Sequence, residues 1–174
     1  MFASFDAFLV ARANATATWL QEEQGLTMPA ILSHAAMATI VATGGAIVAT
    51  FALRAPLIAC VMLVLGSMTI VALWPLLMRY QRDSERGWSQ GLARDYAVRA
   101  IGAQEGQRQM RYFGLALAML VVGITSIRSA VDLVDVLSLL LVASSVAHLY
   151  FACAEPKPPG TRRTETRLAF QGSR

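Results

Sequence analysis

Arg79–Arg111, RYQRDSERGWSQGLARDYAVRAIGAQEGQRQMR, is the one long polar interval between apolar runs, and its position decides how every other segment is threaded. It carries seven arginines (Arg79, Arg82, Arg86, Arg94, Arg99, Arg108, Arg111) against four acids (Asp83, Glu85, Asp95, Glu105) and is net positive. Trp88, Leu92 and Tyr96 recur at i, i+4 and i+8, which predicts helix lying against lipid headgroups with the arginines and Trp88 facing them. Gly87, Gly91, Gly102 and Gly106 predict short helical pieces rather than one rod.

On both sides of this interval the composition changes. The chain of 174 residues is 56% hydrophobic and 15% charged, where a globular protein has about 25% charged. Between residues 24 and 78 the only full charge is Arg54, and between 112 and 153 there are only Arg128, Asp132 and Asp135. Such segregation predicts an all-α integral membrane protein, a four-helix bundle of two antiparallel transmembrane hairpins. The spans are read over 28–53, 56–78, 112–127 and 132–153 within a domain 26–153, joined by the basic connection 79–111. Pro29 is tolerated in a first helical turn, and Pro75 is expected to loosen the last turn of the second span. The third span, at sixteen residues, is about 24 Å as a helix, short of a hydrocarbon core of about 30 Å.

Residues 1–25 have Phe2, Phe5 and Leu9 at helical spacing and predict an interfacial amphipathic helix. No basic run precedes an apolar core there, which argues against a signal peptide. Residues 154–174, with Pro156, Pro158, Pro159 and five basic residues, predict a disordered tail.

With four spans, both ends and the central interval share one side. Thirteen of the fifteen basic residues then fall there, and Arg54 and Arg128 fall on the other. The positive-inside rule makes the first side cytoplasmic, most simply in a bacterial inner membrane. Trp74, Tyr80, Tyr112 and Tyr150 all fall at that interface. The net charge of +4 is accounted for by anionic lipid rather than nucleic acid.

Three groups of residues have a chemical reading. In the first span Ala35, Thr39, Ala42, Thr43, Ala46, Ala49 and Thr50 share one face, opposite Met37, Ile40, Val41, Ile47, Val48 and Phe51. Small residues four apart permit close helix approach, and threonine hydroxyls supply interhelical bonds. In the fourth span Asp132, Asp135, Ser138, Ser145 and His148 form a polar stripe, readable as a path or as buried bonding. His34 and His148 lie at similar depth, and two histidines at one depth are the arrangement that clamps a haem iron. The expectation is nevertheless no cofactor, because His34 projects away from the packing face. The two cysteines, Cys60 and Cys153, lie at opposite ends of their runs and do not suggest a disulfide.

No P-loop, nucleophile elbow, dinucleotide fingerprint or zinc spacing occurs. The expected function is therefore a non-enzymatic accessory or assembly subunit of a larger inner-membrane complex. Its partners are lipids and other membrane subunits or itself, through the Ala/Thr face. The alternative is a small homo-oligomeric channel, holin-like pore or carrier using the polar stripe. A haem- or quinone-binding anchor comes third.

Overall fold

The computed structural model describes residues 2–52, 56–127 and 133–159, with the side chains of 2, 56–59, 61 and 62 excepted. The described residues are all-helical and form six helices: α1 (Phe2–Glu23), α2 (Met28–Ala52), α3 (Pro56–Glu85), α4 (Gln90–Gly106), α5 (Arg108–Ile127) and α6 (Leu133–Phe151). Four of them, α2, α3, α5 and α6, are long and apolar enough to cross a membrane. Arg54, Arg128 and Asp132, and the tail from residue 160, lie outside the described residues.

Helix limits follow local chemistry. Gly25 and Gly87 take positive φ (66° and 84°), which a side chain resists, and they turn the chain after α1 and α3. Ser89 caps α4, its Oγ accepting from the Leu92 amide at 3.2 Å. The central interval is thus the end of α3, then α4, then the start of α5; the breaks fall at Gly87 and just after Gly106, whereas Gly91 and Gly102 lie inside α4 and do not interrupt it. Pro75 does not loosen a last turn: α3 runs ten residues beyond it, to Glu85. The third span is also longer than expected. α5 begins at Arg108 and has 20 residues, about 30 Å, so it matches the hydrocarbon core.

The spans contact one another in the order α3, α2, α6, α5, with α2 packed against both α3 and α6. The Ala/Thr face of α2 lies inside this packing. Thr39, Ala42, Thr43, Ala46, Ala49 and Thr50 are buried and Ala35 is half-buried, so the face serves the chain's own fold. Its hydroxyls do not bridge helices. Thr39 and Thr43 donate to Ala35 O (3.0 Å) and Thr39 O (2.7 Å), and Thr50 donates to Ile47 O (2.8 Å), all within α2. Contact is instead close packing. A Cβ at Gly66 of α3 would lie 2.7 Å from Ile47 Cδ1 and 2.9 Å from Thr43 Cγ2.

Where the spans end, α1 lies across α6, α2 and α5. A small hydrophobic core forms there from Ala17, Met28, Ile31, Leu32, Tyr80, Tyr96 and Ala154. α1 is therefore a packed helix with three aromatics outside: Phe5, Phe8 and Trp19 are exposed while Ala17 is fully buried. The start of the expected tail is also bound into this cap. The Lys157 amide donates to Gln21 Oε1 (2.9 Å), its ammonium pairs with Glu22, and its carbonyl accepts from Trp88 Nε1 (2.9 Å).

Candidate functional site

The cap contains two polar clusters. The first is built around Asp6 of α1 and Arg111 of α5. The guanidinium meets the carboxylate with two bonds, Nε to Oδ1 at 2.9 Å and Nη2 to Oδ2 at 3.0 Å. Tyr150 of α6 donates its hydroxyl to Asp6 Oδ1 at 2.7 Å. Arg111 also donates to the carbonyls of Ala103 and Gln104 at 3.1–3.2 Å and to Cys153 Sγ at 3.3 Å. Those carbonyls belong to the last turn of α4, the negative end of the helix dipole, where Ala103 O also accepts from the Gln107 amide at 3.1 Å. Gln104 Nε2 adds a bond to Cys153 O at 2.9 Å. One buried arginine thereby ties together α1, α4, α6 and the chain after α6.

Electrostatics follow from these contacts. The hydrogen bond from Arg111 holds the Asp6 carboxyl below the usual carboxylate range, against an opposing effect of burial. Burial pushes the Cys153 thiol up, opposed by Arg111. The predicted headgroup role of Arg111 is corrected by its 3% exposure: its charge is met by Asp6, and taking it to lipid would leave that carboxylate buried and alone.

The second cluster joins α3, α4 and α6. Tyr96 donates to Asp83 Oδ2 at 3.0 Å, and burial together with that bond raises the phenol well above its ordinary value. Tyr80 packs on Tyr96 and on His148, with centroids 6.4 and 6.1 Å apart, and Trp88 meets Tyr96 edge-on. Trp88 and Tyr96 therefore face the cap core and not the headgroups. The Arg99 guanidinium lies over the Tyr96 ring, 4.9 Å from its centre. Beside these rings is a cleft of about 440 Å³ lined by Tyr80, Tyr96, Arg99, Gln107 and His148 on its polar side. Gln107 Oε1 and His148 Nδ1 are buried without a hydrogen-bond partner among the described residues. Such an orphan costs about 1–3 kcal/mol unless something else satisfies it.

Compared with known protein families, curated proteins and solved structures, the chain has no match.

The other predicted residues are placed as follows. Arg79, Arg82, Arg86, Arg94 and Arg108 are exposed. Asp135 is buried in the first turn of α6 and His148 lies in its last turn, about 20 Å away along the helix. Ser145 donates to Leu141 O of its own helix at 2.7 Å, and Ser138 is half-buried between these ends. His34 and His148 are not brought together. His34 is exposed, with Nδ1 2.6 Å from Ala30 O, and lines a different cleft, with Leu20, Leu26 and Ser144. The sequence assigns no role to Asp6, Gln104 or Gln107, and it places Tyr150 only at the interface and Asp83 only among the acids of the central interval. The one available signal was that Asp6 is the sole acid before Glu22, set in a run of small and apolar residues.

Proposed function

We propose that this chain is a non-catalytic subunit of a multi-pass membrane complex in a bacterial inner membrane, with its cap and both termini in the cytosol. The charge bias supports the orientation, since the cap helices carry the arginine-rich interval and α2–α3 and α5–α6 return to it.

The observation that carries the subunit reading is the open row of spans. α2 has 39% of its apolar window buried within the chain, whereas α5, at one end of the row, has 11%. Phe113, Leu117, Leu120 and Ile124 of α5 all lie on its outside. The cap, locked by Asp6 and Arg111, holds α5 in a set orientation, as a lateral docking element requires. Association through the α2 face is replaced in this reading, because α3 and α6 already occupy that face.

Photo-crosslinking from position 120 in native membranes tests it. A discrete protein adduct from 120, absent from position 41 on the outer side of α2, is expected. Crosslinks to lipid alone at both positions would overturn it. A second reading, a channel or carrier, is favoured by one feature, the burial of Asp135 within a span. It requires ion flux through the pure protein in liposomes that Asp135→Asn alters.

A further inference from the structure

We propose that the cleft between α3, α4 and α6 binds the phosphate of an anionic phospholipid, whose chains run along α3 and α6 into the bilayer. This inference needs the membrane-spanning assignment but not the subunit reading.

The polar side of the cleft selects for an anion. Arg99, Tyr80, Gln107 and His148 are brought there by four different stretches of chain, and no carboxylate among the described residues lines it. Asp83, the nearest acid in the cluster, is engaged by Tyr96 and lies 4.0 Å from Arg86. Among the described residues Arg99 has only an aromatic face as partner, which leaves its planar donor fork available for phosphate oxygens. His148, 8% exposed, has an unpartnered Nδ1, and the buried oxygen of the Gln107 amide is likewise unpartnered. The imidazole in its Nδ1–H form donates to a phosphate oxygen, and the Gln107 oxygen, an acceptor, takes a headgroup hydroxyl such as that of phosphatidylglycerol as its donor.

The remaining wall selects for a lipid. Leu73 and Leu76 of α3 and Leu149 of α6 line the same cleft, and Leu76 is 39% exposed. α2 forms the back through Met28 and Leu32, and none of the described residues of α5 lines the cleft. The cleft is therefore open sideways, at the depth where the spans meet the cap. A volume of about 440 Å³ exceeds a phosphate and accommodates glycerol and the first methylenes. A free phosphate ion leaves that apolar wall unused.

The full chain in a neutral mild detergent is titrated with phosphatidylglycerol, phosphatidylcholine or inorganic phosphate, and binding is read by native mass spectrometry and by the thermal unfolding midpoint. One phosphatidylglycerol is expected to bind and to raise the midpoint, phosphatidylcholine to bind more weakly, and inorganic phosphate to have no effect. Arg99→Gln removes the cation and is expected to weaken binding about tenfold or more. Gly102→Leu acts without removing any polar group. Gly102 lines the cleft, nothing lies within 4 Å of an added Cβ, and a helical glycine is replaced by a better helix former, so the variant folds with its cleft filled. Arg94→Gln, an exposed change of equal charge on the same helix, is expected to bind as wild type. Wild-type affinity in both Arg99→Gln and Gly102→Leu, or equal weakening in Arg94→Gln, overturns the site. Stabilisation by inorganic phosphate equal to that by phosphatidylglycerol overturns the lipid.

Discussion

Asp6 and Arg111, 105 residues apart in sequence, meet in a two-bond ion pair with both side chains all but closed to solvent. The pair joins the first helix of the chain to the start of the third span. It makes the polar end of the molecule a folded unit rather than a set of loops.

Removing one partner strands the other. Asp6→Ala is expected to cost about 3 kcal/mol or more, because it leaves an arginine buried without a counter-charge. Cys153, fully buried and bonded to Arg111, reports the opening. In a Cys60→Ser background, maleimide labelling of Cys153 should accelerate on the order of a hundredfold, the equivalent of that energy. An unchanged labelling rate would show that the pair does not hold the cap shut.

The pH dependence of cap stability has two limbs. Asp6 has a folded pKa below its ordinary 3.8, so its contribution is complete above that value and is lost as pH falls through the depressed one. Tyr96 and Cys153 are raised from 10.0 and 9.0, so theirs is complete below those values and is lost as pH rises beyond them. The joint contribution of Asp6, Tyr96 and Cys153 to the thermal midpoint in detergent should therefore be level from about pH 4 to 9 and fall on either side. Asp6→Asn should lower the plateau and flatten the acid limb, and Tyr96→Phe should shrink the alkaline one.

Two glycines separate packing from helix propensity. Gly66→Leu forces a side chain into Ile47 and Thr43 at the α2–α3 contact and is expected to destabilise by about 1–3 kcal/mol. Gly91→Ala, in α4 with nothing within 4 Å of the new Cβ, is expected to stabilise by roughly 0.5–1 kcal/mol. Detergent unfolding midpoints of the two variants should move in opposite directions.

Ala46, 2% exposed, lies on the inner face of α2. Ala46→Leu is expected to lower the unfolding midpoint of the isolated chain by an overpacking cost of about 1–3 kcal/mol. Val48→Ala, on the exposed side, should leave it within about 0.5 kcal/mol. Equal stability of the two variants would mean that α3 and α6 do not cover this face.

The small-residue face of α2 was legible because helical period maps directly onto side, and a face of Ala and Thr has no better place than against another helix. Which helices cover it was not legible. The same alanines fit a partner subunit or the chain's own α3 and α6, and the sequence reading took the former. The third span was read short because Arg108 and Arg111 look like the end of a hydrophobic run. Helix continues through them because Asp6 takes one charge and Arg108 lies on Tyr112, with Nε donating to its hydroxyl at 2.9 Å.

Of the seven arginines in the interval 79–111, the sequence reading sent all to lipid headgroups. Only the folded chain distinguishes Arg111, inside the cap, and Arg99, at the cleft, from the exposed five. Composition and period determine how many times this chain has the means to cross a bilayer, and where its polar end lies, because both are sums over neighbouring residues. Which charge meets which across 105 positions is set by tertiary packing. The free energy of that meeting comes from the low-dielectric interior the fold itself creates, and no local pattern records it.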